Sequence, residues 1–357
     1  MNIQNLFAVR FVLLLLITFL SANAQAKTYE WRLAQTWGNE HLLGFSTTRL
    51  SELVEQLSGG RFVIKVISKK EHKNTRGIFD FVKKGDYEMG HSASNFWVKK
   101  DPDTMFFSAV PFGMVTPELY SWFYEGGGVE LMNKVYKKHG LMSFPGGNSG
   151  NQMIGWFNKE IKSVDDLKGL KMRLPGLAGE VMKGLGVEIN NVPVSQLKEA
   201  LSSGQLEAVE FVGPAIDLNL GLQDVAKFYY TGWHSPSSEM QFLVNPEAYA
   251  DLPEDLQYIL KQAMRLAAYD SFTKIVFQNG VKMQELRTQY PNIVLRSFPS
   301  DVMRALSAET NRLLQEMAKV SSDGLTQEII DSMEKHKRRS RLWTRFSDQA
   351  YLNNVGL

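Results

Sequence analysis

Arg173 is the only charged side chain between Met172 and Leu174, and Pro175 and Gly176 follow at once. A guanidinium ending a short apolar strand just before a chain reversal is a rigid planar fork, suited to grip the carboxylate of a small organic anion with two parallel hydrogen bonds. The plain alternative is an ion pair with a neighbouring acid. Glu210 is the second informative residue: a carboxylate flanked by Val209, Phe211 and Val212 must either point out of its sheet or be neutralised inside. Gln152 adjoins the glycine-rich run GGNSGN, and Glu239 and Gln241 share one strand face by their i, i+2 spacing. Acid and amide oxygens of this kind, with a strand carbonyl such as that of Phe211, suit a hard cation such as Na⁺ or Ca²⁺. His91, in EMGHSAS, is a candidate general base, although a lone histidine after a strand is more often a hydrogen-bonded structural residue. No nucleophile motif accompanies it: the chain has no cysteine, no GxSxG and no HExxH. Gly126 to Gly128 lacks GxGxxG spacing and reads as a turn rather than a phosphate cradle.

These residues need elements to hold them. YEWRLA (29–34) has a short strand pattern, 42–57 carries apolar residues at helical spacing, Ser58-Gly59-Gly60 stops that helix, and RFVIKVI (61–67) alternates as a strand. A helix over 78–84, a strand over 87–91, a buried apolar segment over 106–114 and two helices within 116–139 follow. A second α/β unit starts near residue 149. The run from Gly147 to Phe157 reads as a strand entering a new sheet, with further strands over 172–174, 187–190, 206–212 and 239–244. Helices are expected over 179–185, 194–202 and 256–287. The pattern predicts α/β architecture with a mostly parallel sheet in each unit, and ligands collecting at loops beyond the strand ends.

The ends and the composition narrow the class. The first 26 residues carry one charge, Arg10, then the apolar run Phe11 to Leu20, then Ala22, Ala24 and Ala26, the layout of a secretory signal rather than a membrane span. About 330 residues remain, more than one core usually serves, and 44% apolar content is ample for two. The absence of cysteine excludes disulfides and a lipoprotein anchor. A net charge of +2, reduced to +1 without the leader, gives no invitation to nucleic acid. The one basic run, KHKRRSRLWTRF (335–346), reads as a solvated helix surface or an interface.

Several motifs together resemble a known family. The runs DDLKGLKMRLPGLAGEVMKGLGVEI, ALSSGQLEAVEFVGP and FYYTGWHSPSSE, with SGGR at 58–61, EMGH at 88–91, AVPFGM at 109–114 and IGWFN at 154–158, resemble the solute-binding subunit of tripartite ATP-independent periplasmic (TRAP) transporters. The subgroup most resembled binds 2-oxo or 2-hydroxy monocarboxylates, such as pyruvate or lactate, with a metal ion. The resemblance implies that Arg173 pairs with the ligand carboxylate and that Gln152, Asn95 and Phe211 also border the ligand. It implies that Gln152, Glu210 and the carbonyl of Phe211 hold Na⁺ or Ca²⁺, with Glu239 or Gln241 completing the shell. The family usually has Trp at the place of Phe211 and an aromatic hydroxyl at that of Asn95, while SKKEHKNTRG, which includes His72, replaces a smaller glycine-containing loop. Those departures fall at the expected pocket edge. The resemblance also implies membrane permease subunits as partners and a homodimer built on a long C-terminal helix, with 256–287 and 301–318 as candidates.

The expectation is therefore a two-lobed periplasmic binding protein with a ligand cleft between the lobes and long helices spanning them. Its parts are a signal peptide over 1–26, lobe I over 27–148 plus about 239–278, lobe II over 149–238 plus about 279–330, and a C-terminal helical tail over 331–357. Its role is non-enzymatic capture of a small carboxylate in the periplasm for transport. The alternatives are an exported carboxylate-acting enzyme using His91 or Glu210 as base, and a ligand-sensing subunit of a receptor.

Overall fold

The computed structural model describes residues 27–38 and 40–355, so the expected signal peptide lies outside the described residues. The chain lays down β1 (Tyr29–Gln35), β2 (Phe62–Ile67), β3 (Met89–Ala93) and β4 (Met142–Asn148). It then forms β5 (Gly155–Phe157), β6 (Lys171–Arg173), β7 (Glu188–Ile189), β8 (Ala208–Val209) and β9 (Phe228–Tyr230), followed by β10 (Glu239–Val244) and β11 (Val294–Arg296). One sheet has the order β2-β1-β3-β10-β4 and the other β11-β9-β5-β8-β6-β7. Each is the floor of one lobe. The chain leaves the first sheet after Asn148, returns to it at Glu239, and visits the second again at β11, so several crossings join the lobes.

Both sheets are mixed rather than mostly parallel. β10 runs antiparallel to β3 and β4 because it enters the first sheet from the far lobe, and β5 is antiparallel to β8 and β9 for the corresponding reason. The strand expected over 206–212 shrinks to Ala208–Val209. The amides of Val212 and Gly213 leave the ladder and donate to Asp217 Oδ1 at 3.0 and 2.9 Å, so the chain turns away as soon as Glu210 has been presented.

The helices α1 (Phe45–Leu57), α2 (Ile78–Lys84), α3 (Thr116–Glu125), α4 (Gly128–Lys137), α5 (Leu177–Gly184) and α6 (Leu197–Ser202) cover the sheets. Four more follow: α7 (Glu254–Gln289), α8 (Ser300–Val320), α9 (Leu325–Phe346) and α10 (Asp348–Asn354). α7, at about 1.5 Å per residue, is roughly 54 Å long and braces both lobes. Its Leu256, Leu260, Ala263 and Met264 sit in the first core beside Leu33, Leu50 and Ile64, while Leu286 reaches the second beside Trp156 and Tyr229. The expected boundary at residue 330 falls inside α9. Leu325, Ile329 and Met333 are at i, i+4 spacing and are buried in the first lobe with Trp122, Phe123 and Met132. The first half of α9 therefore packs into lobe I, while α10 buries no residue. Among the described residues, no helix is long and apolar enough to cross a membrane.

One loop of the first lobe reaches across to the second. Phe112 packs against Trp233 with ring centroids 5.4 Å apart and the planes tilted by 30°, and its amide donates to the carbonyl of Trp233 at 2.9 Å. To do so it adopts φ 56°, the left-handed region, which costs a non-glycine residue about 1 kcal/mol. The side chains of Lys337 and Arg341 on α9 donate to the carbonyl of Phe112 at 3.5 and 3.3 Å, and Arg341 donates also to that of Gly113. Part of the basic run at 335–346 thus holds this loop in place.

Candidate functional site

Strand register builds the centre of the site. β6 and β8 run parallel with Arg173 opposite Val209, so Glu210 emerges one residue beyond its partner, and its amide donates to the carbonyl of Arg173 at 3.0 Å. From that position Arg173 Nη1 donates to Glu210 Oε2 at 2.9 Å and to the Glu210 carbonyl at 2.6 Å. The guanidinium carbon lies 5.6 Å from the centroid of the Phe211 ring. Among the described residues both hydrogen bonds of the guanidinium use Nη1, which leaves the Nε and Nη2 edge for a carboxylate fork. The other oxygen of Glu210, Oε1, lies 3.3 Å from His234 Nε2. The pair is well shielded, with side-chain exposures of 14% for Arg173 and 6% for Glu210.

Two glycines and one aspartate hold these groups in place. A Cβ on Gly155 would meet the Val209 carbonyl at 2.1 Å and Glu210 Cα at 2.7 Å, and one on Gly232 would meet the Gln152 carbonyl at 1.8 Å. Only glycine lets the strands that carry Glu210, Gln152 and His234 approach so closely. Buried Asp217 accepts from the amides of Val212 and Gly213, from Trp156 Nε1 at 3.1 Å and from Tyr229 OH at 2.9 Å, anchoring the segment that follows Glu210. Burial pushes its carboxyl up to about 6 against the pull of those donors. Gln152 is pinned by its amide to the Ser235 carbonyl at 2.9 Å, and its Nε2 donates to Ser149 Oγ at 2.9 Å, so Oε1 is the end it can offer.

A cavity of about 530 Å³ opens beside these groups. Its polar end carries Asn95 from the first lobe and Gln152, Glu210, His234 and Ser235 from the second. Among the described residues, Asn95 Oδ1, His234 Nδ1 and Ser235 Oγ are buried there without a hydrogen-bond partner. Three such atoms around one cavity are groups that a polar ligand can complete. The remaining wall is mainly apolar, with Val98 and Met105 from the first lobe, Leu177 from α5, and Leu313 and Met317 from α8, interrupted by Glu180 and Ser238.

Of the residues singled out in the sequence, Glu210, Gln152 and Asn95 line the cavity, while Arg173 and Phe211 stand behind Glu210, outside the lining. Glu239 and Gln241 do not join them. A bulge between the two breaks the ladder with β4, and both side chains end inside the first lobe. Glu239 accepts from the amides of Gly146 and Gly147, each at 3.0 Å, and from Asn148 Nδ2 at 2.7 Å, while burial pushes its carboxyl up to about 8. Gln241 accepts from Ser143 Oγ at 3.0 Å and donates to the Phe107 carbonyl at 3.2 Å. With these oxygens engaged by their own lobe, neither residue reaches the cavity wall. His91 is likewise sealed in lobe I, with Nε2 3.1 Å from Ser46 Oγ and 2.9 Å from the Gly146 carbonyl, and burial lowers its pKa to about 4. His72 contacts the Gln35 carbonyl at 2.8 Å and lies outside the cavity lining. His234, Ser235, Leu313 and Met317 were missed. GWHSPSS carried a legible signal, a run of small polar residues between two apolar strands, whereas Leu313 and Met317 look like any helical core pair.

Among the described residues no three His, Cys, Asp or Glu side chains converge, so a cation in the cleft cannot be held by a carboxylate cage. The available donors are one carboxylate (Glu210), one amide oxygen (Gln152) and the Phe211 carbonyl, which has no hydrogen-bond donor among the described residues. An all-oxygen set with one charge fits Na⁺ or Ca²⁺ when the ligand supplies further oxygens.

Two lobes on separate sheets, braced by a long helix around a cavity bordered by both lobes, have the architecture of a solute-binding receptor. The chain belongs to family 7 of the bacterial extracellular solute-binding proteins, the DctP family that serves TRAP transporters, whose model matches residues 33–320. A monocarboxylate 2-oxoacid-binding periplasmic protein of Nostoc sp. is 33% identical over 334 residues, covering 93% of this chain and 91% of that protein. A TRAP solute-binding protein of Colwellia psychrerythraea, crystallised with calcium and pyruvate, superposes with a TM-score of 0.88 at 50% identity, over 92% of this chain and all of that one. Another from Pseudoalteromonas atlantica, with sodium and pyruvate, gives 0.86 at 49% identity over 92% of this chain and 99% of that one. Proteins of this family bind and deliver solutes in the periplasm and are not enzymes.

Proposed function

We propose that this chain captures a 2-oxo monocarboxylate of the pyruvate type, together with Na⁺ or Ca²⁺, and delivers it to the membrane subunits of a TRAP transporter. The observation that carries the reading is the buried Arg173–Glu210 pair beside three unpartnered polar atoms at one end of the cavity. Arg173 would hold the ligand carboxylate through its open edge. The pair is neutral, so an incoming carboxylate adds an uncompensated negative charge in a shielded place, and burying such a charge is costly. A cation held by Glu210, Gln152 and the Phe211 carbonyl offsets that charge and favours a ligand with a 2-oxo or 2-hydroxy oxygen next to its carboxylate. Asn95, His234 and Ser235 would complete the ligand's remaining hydrogen bonds. Binding drives lobe closure only by the ligand's greater affinity for the closed form.

The leader at 1–26 would be removed on export. α7 exposes Tyr258, Leu266, Tyr269, Val276 and Phe277, and α9 exposes Trp343 and Phe346, an apolar surface suited to a second copy of the chain. Light scattering would give twice the monomer mass if that is so. The binding reading is tested by calorimetry of the mature protein with pyruvate and lactate, before and after chelation in sodium-free buffer. Tight binding that collapses without a cation is expected. The absence of binding for every 2-oxo and 2-hydroxy acid would overturn it.

A further inference from the structure

We propose that the outer face of α9 near its end, continued by α10, docks the receptor on an anionic lipid surface. This goes beyond solute capture and concerns a face that takes no part in the cavity.

Charge gives the first argument. Residues 335–357 include six lysines and arginines and one acid, Asp348, so this segment carries +5. The whole chain carries only +2, and the rest of the molecule is therefore negative. Such a separation of charge turns the molecule in the field of an anionic surface so that this end arrives first. Among the described residues, the side chains of Lys335, Arg338, Arg339 and Arg345 enter no ion pair or hydrogen bond, whereas Lys337 pairs with Glu334 and Arg341 lies 3.7 Å from Glu118.

Helix geometry gives the second. Lys335, Arg339, Leu342 and Phe346 follow one another at i, i+4, i+7 and i+11, so they lie along one line of α9, with Trp343 beside it. Leu342, Trp343 and Phe346 are 64%, 72% and 78% exposed, and Tyr351 and Leu352 of α10 add 66% and 60%. The inner face is anchored to lobe I: Met333 is buried, Arg341 donates to the Gly113 carbonyl, and Thr344 donates to Glu118 Oε1 at 3.3 Å. The outer face is thereby held toward solvent.

The mixture of side chains selects the occupant. Aromatic and aliphatic groups interleaved with arginines along one helix face match a bilayer surface, where rings settle at the headgroup level and guanidinium groups meet phosphates. A second copy can cover the uncharged residues of α7, but a two-fold contact through the end of α9 would bring Arg338, Arg339 and Arg345 near their own counterparts. No described helix is long and apolar enough to cross a bilayer, so this contact is peripheral. The inner face of α9 holds the loop whose Ala109 and Pro111 border the cavity, so a receptor seated in this way carries that wall of its cleft beside the membrane.

Co-sedimentation of the mature protein with vesicles of phosphatidylcholine, alone or with about a third phosphatidylglycerol, tests this. Binding is expected only to the anionic vesicles, and it should vanish in about 1 M salt, where the screening length is roughly 3 Å. Each cation brought to an anionic surface strengthens binding roughly fivefold, so the combined Arg338→Gln, Arg339→Gln, Arg345→Gln variant should bind roughly a hundredfold more weakly. Brominated lipid should quench tryptophan emission in the parent protein and leave that of Trp343→Phe unchanged. Both variants should bind pyruvate as the parent does, and melting curves establish that they are folded. If anionic vesicles are not bound at low salt, or if the triple variant binds them undiminished, the proposal is overturned. Should vesicles be ignored and Trp343→Ser with Phe346→Ser split a dimer into monomers, the face is a contact between copies instead. Failure to bind pyruvate would touch the solute reading alone.

Discussion

Replacing Arg173 with alanine separates a ligand fork from a structural ion pair. The guanidinium donates to Glu210 Oε2 at 2.9 Å from a position only 14% exposed, and Glu210 itself is 6% exposed. Truncating one partner of such a pair costs about 2 to 5 kcal/mol, or roughly 30- to 5000-fold in an equilibrium constant. In the unliganded protein that cost appears as stability, because Glu210 is left buried without its guanidinium partner. If Arg173 also holds the ligand, pyruvate affinity must fall by a comparable factor in protein that is still folded. Arg173→Lys should recover stability better than affinity, since an ammonium keeps the charge but cannot offer the Nε and Nη2 edge. The measurement is paired: urea unfolding without ligand, and calorimetry with pyruvate and calcium. A cycle that includes Glu210→Gln isolates the coupling between the two residues. If the alanine variant loses stability but keeps pyruvate affinity within about twofold, Arg173 is a structural ion pair and the fork reasoning is refuted.

Three further outcomes follow from the same geometry. Burial lowers the pKa of His91 to about 4, below its ordinary 6.5, so the unfolded chain takes up its proton first as pH falls. Stability should fall between pH 6.5 and 4 by up to about 3 kcal/mol from this group, and melting curves of His91→Gln should lack that part of the slope. Glu239→Gln should cost about 1 to 3 kcal/mol in urea unfolding, because an amide turns a donor toward the main-chain amides of Gly146 and Gly147 or toward Asn148 Nδ2. It should spare calcium-dependent ligand binding, and loss of the cation requirement would place Glu239 in the metal shell after all. Gly155→Ala should prevent Glu210 from reaching Arg173, since the new methyl group falls 2.1 Å from the Val209 carbonyl. Undiminished pyruvate binding in a folded Gly155→Ala protein would contradict the close approach.

Local pattern carried much of the fold into the sequence. The helix at 78–84 and the strand at 239–244 lie where the sequence places them, because each is bounded by a turn residue, the helix burying one face and the strand both. The strand at 206–212 was overread, since VEFV has β chemistry throughout while the decision to leave the ladder is made by Asp217, five residues past Val212. Strand direction could not be read, because whether β10 returns parallel or antiparallel depends on which lobe the chain is coming from. At the site, Arg173 and Glu210 were legible as charges in apolar runs. Glu239 offers the same signal and means something else, because its neutralisers are main-chain amides on a neighbouring strand. The apolar lining was invisible: Leu313 and Met317 belong to a helix more than 130 residues downstream of Arg173, and nothing local distinguishes a side chain facing a cavity from one facing a core.

The loop that carries Phe112 makes the cleft wall depend on a helix that does not itself line the cavity. Ala109 and Pro111 in that loop border the cavity, and the left-handed turn beside them is held by the side chains of Lys337 and Arg341 on α9. A substitution at either position acts on the wall only through the Phe112 and Gly113 carbonyls, so it should alter ligand affinity without removing any group that touches the ligand.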